Sequence, residues 1–167
     1  MKSLLYLLTT LILASSCVTP TPDENQENES VQEEVVDLIA EENVVKKVMK
    51  TYKKTLESLD VTDSYILFTE DSQVLEQGKI EGTYQDYIAN HIGPELGHFE
   101  SFTFSEYEIS MMLDMPYAFT TESYIYNIVL KEDGRKVERK ATATSILKKI
   151  DDVWKIIKTH SSSRAVK

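Results

Sequence analysis

Only one of the 167 residues is a cysteine, Cys17, near the start of the chain. A lone thiol has no intramolecular partner, so no disulfide framework holds this fold. Basic residues are also scarce: 18 lysines and arginines stand against 28 aspartates and glutamates, a formal net charge of -10. Such a chain has little with which to neutralise a phosphate backbone, which argues against nucleic acid as a partner. The apolar run from Leu4 to Ala14 is too short to span a bilayer comfortably. Three histidines limit the candidates for imidazole chemistry to His91, His98 and His160. The hydrophobic content of 41% is ordinary and suits one globular domain with a single core.

The opening MKSLLYLLTTLILASSC has the layout of a signal peptide: Lys2, an apolar segment, then small residues. A cysteine directly after LASS resembles the lipobox of bacterial lipoproteins, with the leucine one place further from the cysteine than usual. That layout predicts a signal over 1–16 and a lipid anchor on Cys17, placing the protein in the cell envelope. Acyl chains would hold it at the membrane without a membrane span. The stretch VTPTPDENQENESVQEE that follows is acidic, amide-rich and nearly free of apolar side chains. It cannot bury enough surface to offset its ordering entropy, so residues 17–40 are predicted to be a flexible tether.

The folded domain is expected over 41–167. Val45, Val48, Met49, Tyr52, Leu56 and Leu59 form an apolar stripe at helical spacing. Lys46, Lys47, Lys50, Lys53 and Lys54 are assigned to the opposite, solvated face. A short helical turn around Tyr65 to Phe68 and a small hairpin about Gly78 come next. A helix capped by Thr83 then places Tyr84, Tyr87, Ile88 and His91 on one face. Gly93-Pro94 is expected to end this helix, since proline disfavours a helical residue before it. Four long strands complete the chain: Phe99 to Leu113 with a register shift near Ser105, the run from Tyr117, and two more around the turns Asp133-Gly134 and Asp151-Asp152. Sequential hairpins imply antiparallel neighbours in an α+β fold.

This order of elements resembles the nuclear transport factor 2-like superfamily, in particular its SnoaL-like bacterial branch, over roughly residues 43–164. The stretches VWKIIKTHSSSR and GKIEGTYQDYIANH carry the local likeness. The resemblance implies a cone: a strongly curved antiparallel sheet wrapped around N-terminal helices, with a pocket at the open end. It also implies a possible homodimer. Members include isomerases, dehydratases, cyclases and binding domains with no reaction, and no complete catalytic set of any one class is found here. Fold alone therefore does not give function. No cofactor is implied.

Period-two alternation places Ala118, Thr120, Glu122, Tyr124 and Tyr126 on one side of their strand. The same rule puts Trp154, Ile156, Lys158, His160, Ser162 and Arg164 on one side of the last. If both sides face the cone interior, His160 and Glu122 would pair as a catalytic dyad, the carboxylate orienting an imidazole base. Tyr87, His91, Tyr124 and Trp154 are the expected ligand-binding residues. A metal site built from His91, His98 and His160, with Glu95, is a third reading that the Gly-Pro step works against. The leading expectation is a pocket that binds a small molecule or a protein partner. Replacing Cys17 with alanine should release the protein from membranes, as read by fractionation; unchanged retention would refute the lipid anchor.

Overall fold

The computed structural model describes residues 24–166, with side chains from Asp37 onward. The predicted signal segment and Cys17 lie outside the described residues. The first element is a long helix, α1 (Glu24–Glu57). It begins well before residue 41, so residues 24–40 are helical rather than a featureless tether. Glutamate and glutamine are good helix formers, and acidic residues near a helix N-terminus interact favourably with its dipole. The buried stripe is the predicted one: Val45, Met49, Tyr52 and Leu56. Leu59 adopts a positive φ of 58° and stops the helix. No helix among the described residues is long and apolar enough to cross a membrane.

A 3-10 turn (Ser64–Leu67) leads into β1 (Phe68–Glu76) and β2 (Lys79–Gly82). Their hairpin turns at Gln77 and Gly78, both with positive φ. Next comes a helical segment in three pieces: α2 (Tyr84–Tyr87), a π turn (Ile88–Ile92) and α3 (Gly93–Gly97). Thr83 caps it in a reciprocal box with Asp86.

The Gly93-Pro94 step does not end the helix, contrary to the sequence expectation. Proline occupies the first turn of α3, where its missing N–H is not needed. The π turn supplies the change of pitch. Gly93 is required there, because a Cβ would stand 2.3 Å from the Ile88 carbonyl oxygen.

Four long strands follow: β3 (Phe99–Asp114), β4 (Tyr117–Leu130), β5 (Lys136–Ile150) and β6 (Val153–Ala165). They pair antiparallel in sequence order, and β6 closes against β1 in parallel, giving the order β2-β1-β6-β5-β4-β3. The register of β3 against β4 shifts between Ser105 and Glu108, where the sequence reading expected it. A second irregularity lies in β6, where Leu147 faces Ile156 but Ile146 faces Lys158. Such bulges bend a strand and increase its twist, which curves the sheet around α1.

The apolar core lies between α1 and the inner sheet face, with Leu147 and Ile156 wholly buried. Phe68 and Tyr84 stack at 3.5 Å, and the Tyr84 hydroxyl donates to Ser64 Oγ at 2.8 Å. At the narrow end, Trp154 Nε1–H donates to Glu41 Oε2 at 2.5 Å and Lys149 Nζ to Glu41 Oε1 at 2.7 Å. One carboxylate thus ties α1 to the β5–β6 hairpin. The Lys149 and Trp154 hydrogen bonds hold the Glu41 carboxyl below its ordinary 4.5. A depressed carboxyl stabilises the fold above its unfolded pKa, and that stability is lost as pH falls through the folded value. Thermal midpoints measured on acidification below 4.5 should therefore fall less steeply for Glu41→Gln than for the parent, from a lower starting value.

Candidate functional site

The concave face of the sheet and the helices enclose a hollow of about 740 Å³, counted to its open mouth. Its walls carry Phe99, Phe102 and Phe104 of β3, Tyr124 and Tyr126 of β4, and Tyr52 of α1. The aromatic rings hold one another edge-on, for example Phe99 with Phe102 at 5.9 Å and Phe104 with Tyr124 at 5.2 Å. Ala141 and Ala143 on β5 keep the sheet side shallow, and both are buried.

At the inner end sits Lys53, which lines the hollow and is 7% exposed. Its Nζ lies 3.3 Å from Glu122 Oε2. It also stands 4.5 Å from the ring centre of Tyr124, 5.3 Å from Tyr52 and 5.6 Å from Phe104. Glu122 is wholly buried, and its other oxygen accepts from the Tyr107 hydroxyl at 2.6 Å. Burial pushes the Lys53 ammonium below its ordinary pKa, while Glu122 works in the opposite direction. A lysine is rarely buried unless paired, and here the pairing is complete on the carboxylate side. An ammonium has three N–H groups, and Glu122 is the single hydrogen-bond acceptor of Lys53 among the described residues. The hydroxyls of Tyr52 and Tyr124 have no hydrogen-bond partner among the described residues either. Burial raises the pKa of both phenols. They remain neutral donors.

A second polar group stands nearer the mouth. The Tyr87 hydroxyl donates to Glu76 Oε2 at 2.6 Å, and both residues line the hollow. Beside them His91 Nδ1 lies 3.2 Å from Glu81 Oε2, and its Nε2 lies 3.4 Å from Glu95 Oε1 and 4.0 Å from Glu76 Oε2. The continuous helical path through Gly93-Pro94 makes the His91–Glu95 approach possible. Burial raises the Glu95 carboxyl, and His91 opposes that. On the sheet side, Ser163 Oγ accepts from Gln77 Nε2 at 2.7 Å and Arg139 Nε at 2.8 Å, and lies 3.0 Å from the Tyr126 hydroxyl. A hydroxyl has two lone pairs and one proton, so this serine is saturated and is not a free nucleophile.

The predicted site residues separate accordingly. Tyr87 and Tyr124 line the hollow, and Glu122 is buried beside Lys53 as a polar group that needs a partner. His160 is not that partner. The extra residue in β6 inverts the face of the strand beyond it, so Thr159 is buried and His160 is exposed on the outer side opposite Thr144. Trp154, before the bulge, points inward but into the core under Glu41, and it is not among the hollow's lining residues. His91 touches the hollow through its carboxylate neighbours and the Tyr87 ring, 5.2 Å away. His98 and His160 are both exposed and do not join it. Among the described residues no group of three side chains is arranged to hold a metal ion.

Lys53 is the main residue that sequence reasoning placed on the wrong face. The signal was present: Lys53 follows Val45 and Met49 at steps of four, on the edge of the buried stripe. Tyr107 is displaced from simple alternation by the β3 bulge, where Glu106 has a φ of 50°.

No family model matches the chain, and no curated protein matches it in sequence. Solved structures do match. A nuclear transport factor 2-like superfamily protein from Salmonella enterica superposes with a TM-score of 0.67 at 16% identity, over 79% of this chain and 95% of that one. A ketosteroid isomerase-like protein from Erwinia carotovora gives 0.64 at 15% identity, over 74% and 96%. A hexachlorocyclohexane dehydrochlorinase from Novosphingobium barchaimii gives 0.62 at 14% identity, over 79% and 90%. The chain therefore has the α+β nuclear transport factor 2-like fold, with N-terminal helices and a six-stranded, mostly antiparallel sheet.

Removing one partner of a buried ion pair leaves the other uncompensated. Lys53→Met should lower unfolding stability by about 3–5 kcal/mol, and adding Glu122→Gln should restore most of it. Urea denaturation of the single and double variants checks this; equal losses in both would contradict the pairing.

Proposed function

We propose that this chain is a cell-envelope lipoprotein, anchored through Cys17, whose hollow binds a small organic molecule. The occupant has a flat apolar body and an oxygen-bearing end that accepts hydrogen bonds. One observation carries the reading: an aromatic-walled hollow is lined by a buried ammonium with N–H groups to spare. Glu122 takes one N–H of Lys53, and a ligand oxygen in the hollow would accept from another. The unpartnered hydroxyls of Tyr52 and Tyr124 add two donors from the same walls. Catalysis by His160 has no geometric support, because its imidazole is on the outer face.

Naphthoate and its neutral counterpart naphthalenemethanol supply a suitable pair of probes. Calorimetry should show naphthoate binding one molecule per chain, and Lys53→Arg should retain much of that affinity. Filling the hollow with Ala143→Leu should weaken binding by about tenfold or more. Both affinities unchanged by Ala143→Leu, in a variant of parental circular dichroism, would overturn the assignment.

A further inference from the structure

We propose that Lys53 captures carbonyl compounds covalently inside the hollow, as a reversible imine. This rests on the reading of the hollow as a ligand site and adds a chemistry to it. Three features of the geometry point this way. First, Lys53 is the lysine that the fold buries, while its helix neighbours Lys50 and Lys54 are exposed. Water holds an exposed amine in its protonated, unreactive form, whereas an apolar enclosure disfavours the charge. Second, a proton acceptor is already in place, with Glu122 Oε2 at 3.3 Å. Third, the nitrogen lines the hollow beside the rings of Tyr52 and Tyr124, whose centres lie 5.3 and 4.5 Å away.

The steps balance without an oxidant or a reductant. The Lys53 ammonium passes a proton to Glu122, leaving a neutral amine beside a neutral acid. The nitrogen lone pair attacks the carbonyl carbon, forming the N–C bond as the C=O π pair moves to oxygen. A proton moves from nitrogen to that oxygen, giving a carbinolamine. The hydroxyl takes the proton held by Glu122 and leaves as water while the nitrogen pair forms C=N. An iminium then replaces the original ammonium opposite the restored carboxylate, so the net charge of the pair is unchanged. Tyr107 holds the second carboxylate oxygen and so orients Glu122.

The test is reductive trapping of the full chain with naphthaldehyde and cyanoborohydride at neutral pH, followed by peptide mapping. The expected result is a single adduct on Lys53, formed about tenfold or more faster than adducts on Lys50 or Lys54. Naphthoate should protect it, and Lys53→Arg should abolish it. Glu122→Gln should slow trapping while naphthoate binding persists. Modification confined to exposed lysines, in protein that still binds naphthoate, would overturn the covalent step and leave the ligand site standing. Failure of both trapping and naphthoate binding would overturn both.

Discussion

The ion pair between Lys53 and Glu122 is the constraint around which the interior is arranged. It joins the long helix α1 to β4, the strand beside the sheet edge, 69 residues apart in sequence. Two opposite charges removed from water are stable only when their remaining hydrogen-bonding capacity is met. Glu122 has that on both oxygens, from Lys53 and Tyr107. Lys53 has it only in part, compensated by three aromatic faces. The asymmetry gives the hollow its polarity. A donor with capacity to spare faces a cavity that is otherwise apolar.

The sheet makes that cavity by being irregular. The bulges in β3 and β6 bend and twist their strands, which curves the sheet around α1 and makes its inner face concave. The narrow end is closed by Glu41, Trp154 and Lys149; the wide end is edged by the helical segment from Tyr84 to Gly97 and the β1–β2 hairpin. Carboxylates gathered around His91 tie those two rim elements together. Bulges also decide which residues of a strand are chemically available. One extra residue in β6 turns His160 outward and brings Thr159 and Ser161 to the inner side.

Much of the architecture was legible because it is periodic. The helical stripe from Val45 to Leu56, the alternation along β4 and the turns at Asp133-Gly134 and Asp151-Asp152 all follow from local pattern. The burial of Glu122 was equally legible, since it shares a face with Ala118 and Tyr124. Its partner was not, for a physical reason. Alternation propagates an error of one residue to everything beyond a bulge, and KIIKTH contains no glycine or proline to mark one. Lys53 was hidden differently: five lysines on one helix suggest a solvated face, and only the step of four from Met49 separates this one. The Gly-Pro step misled in the opposite direction, because a π turn can carry a helix through a proline placed in its next first turn.

The most direct test of this account is the titration of Lys53 followed by heteronuclear NMR of its side-chain nitrogen and adjacent methylene. The account predicts a Lys53 pKa below the ordinary 10.5. Lys53 signals should also shift when naphthoate occupies the hollow, while those of Lys50 and Lys54 do not. A Lys53 that titrates together with the exposed lysines, and is indifferent to an occupant, would contradict it.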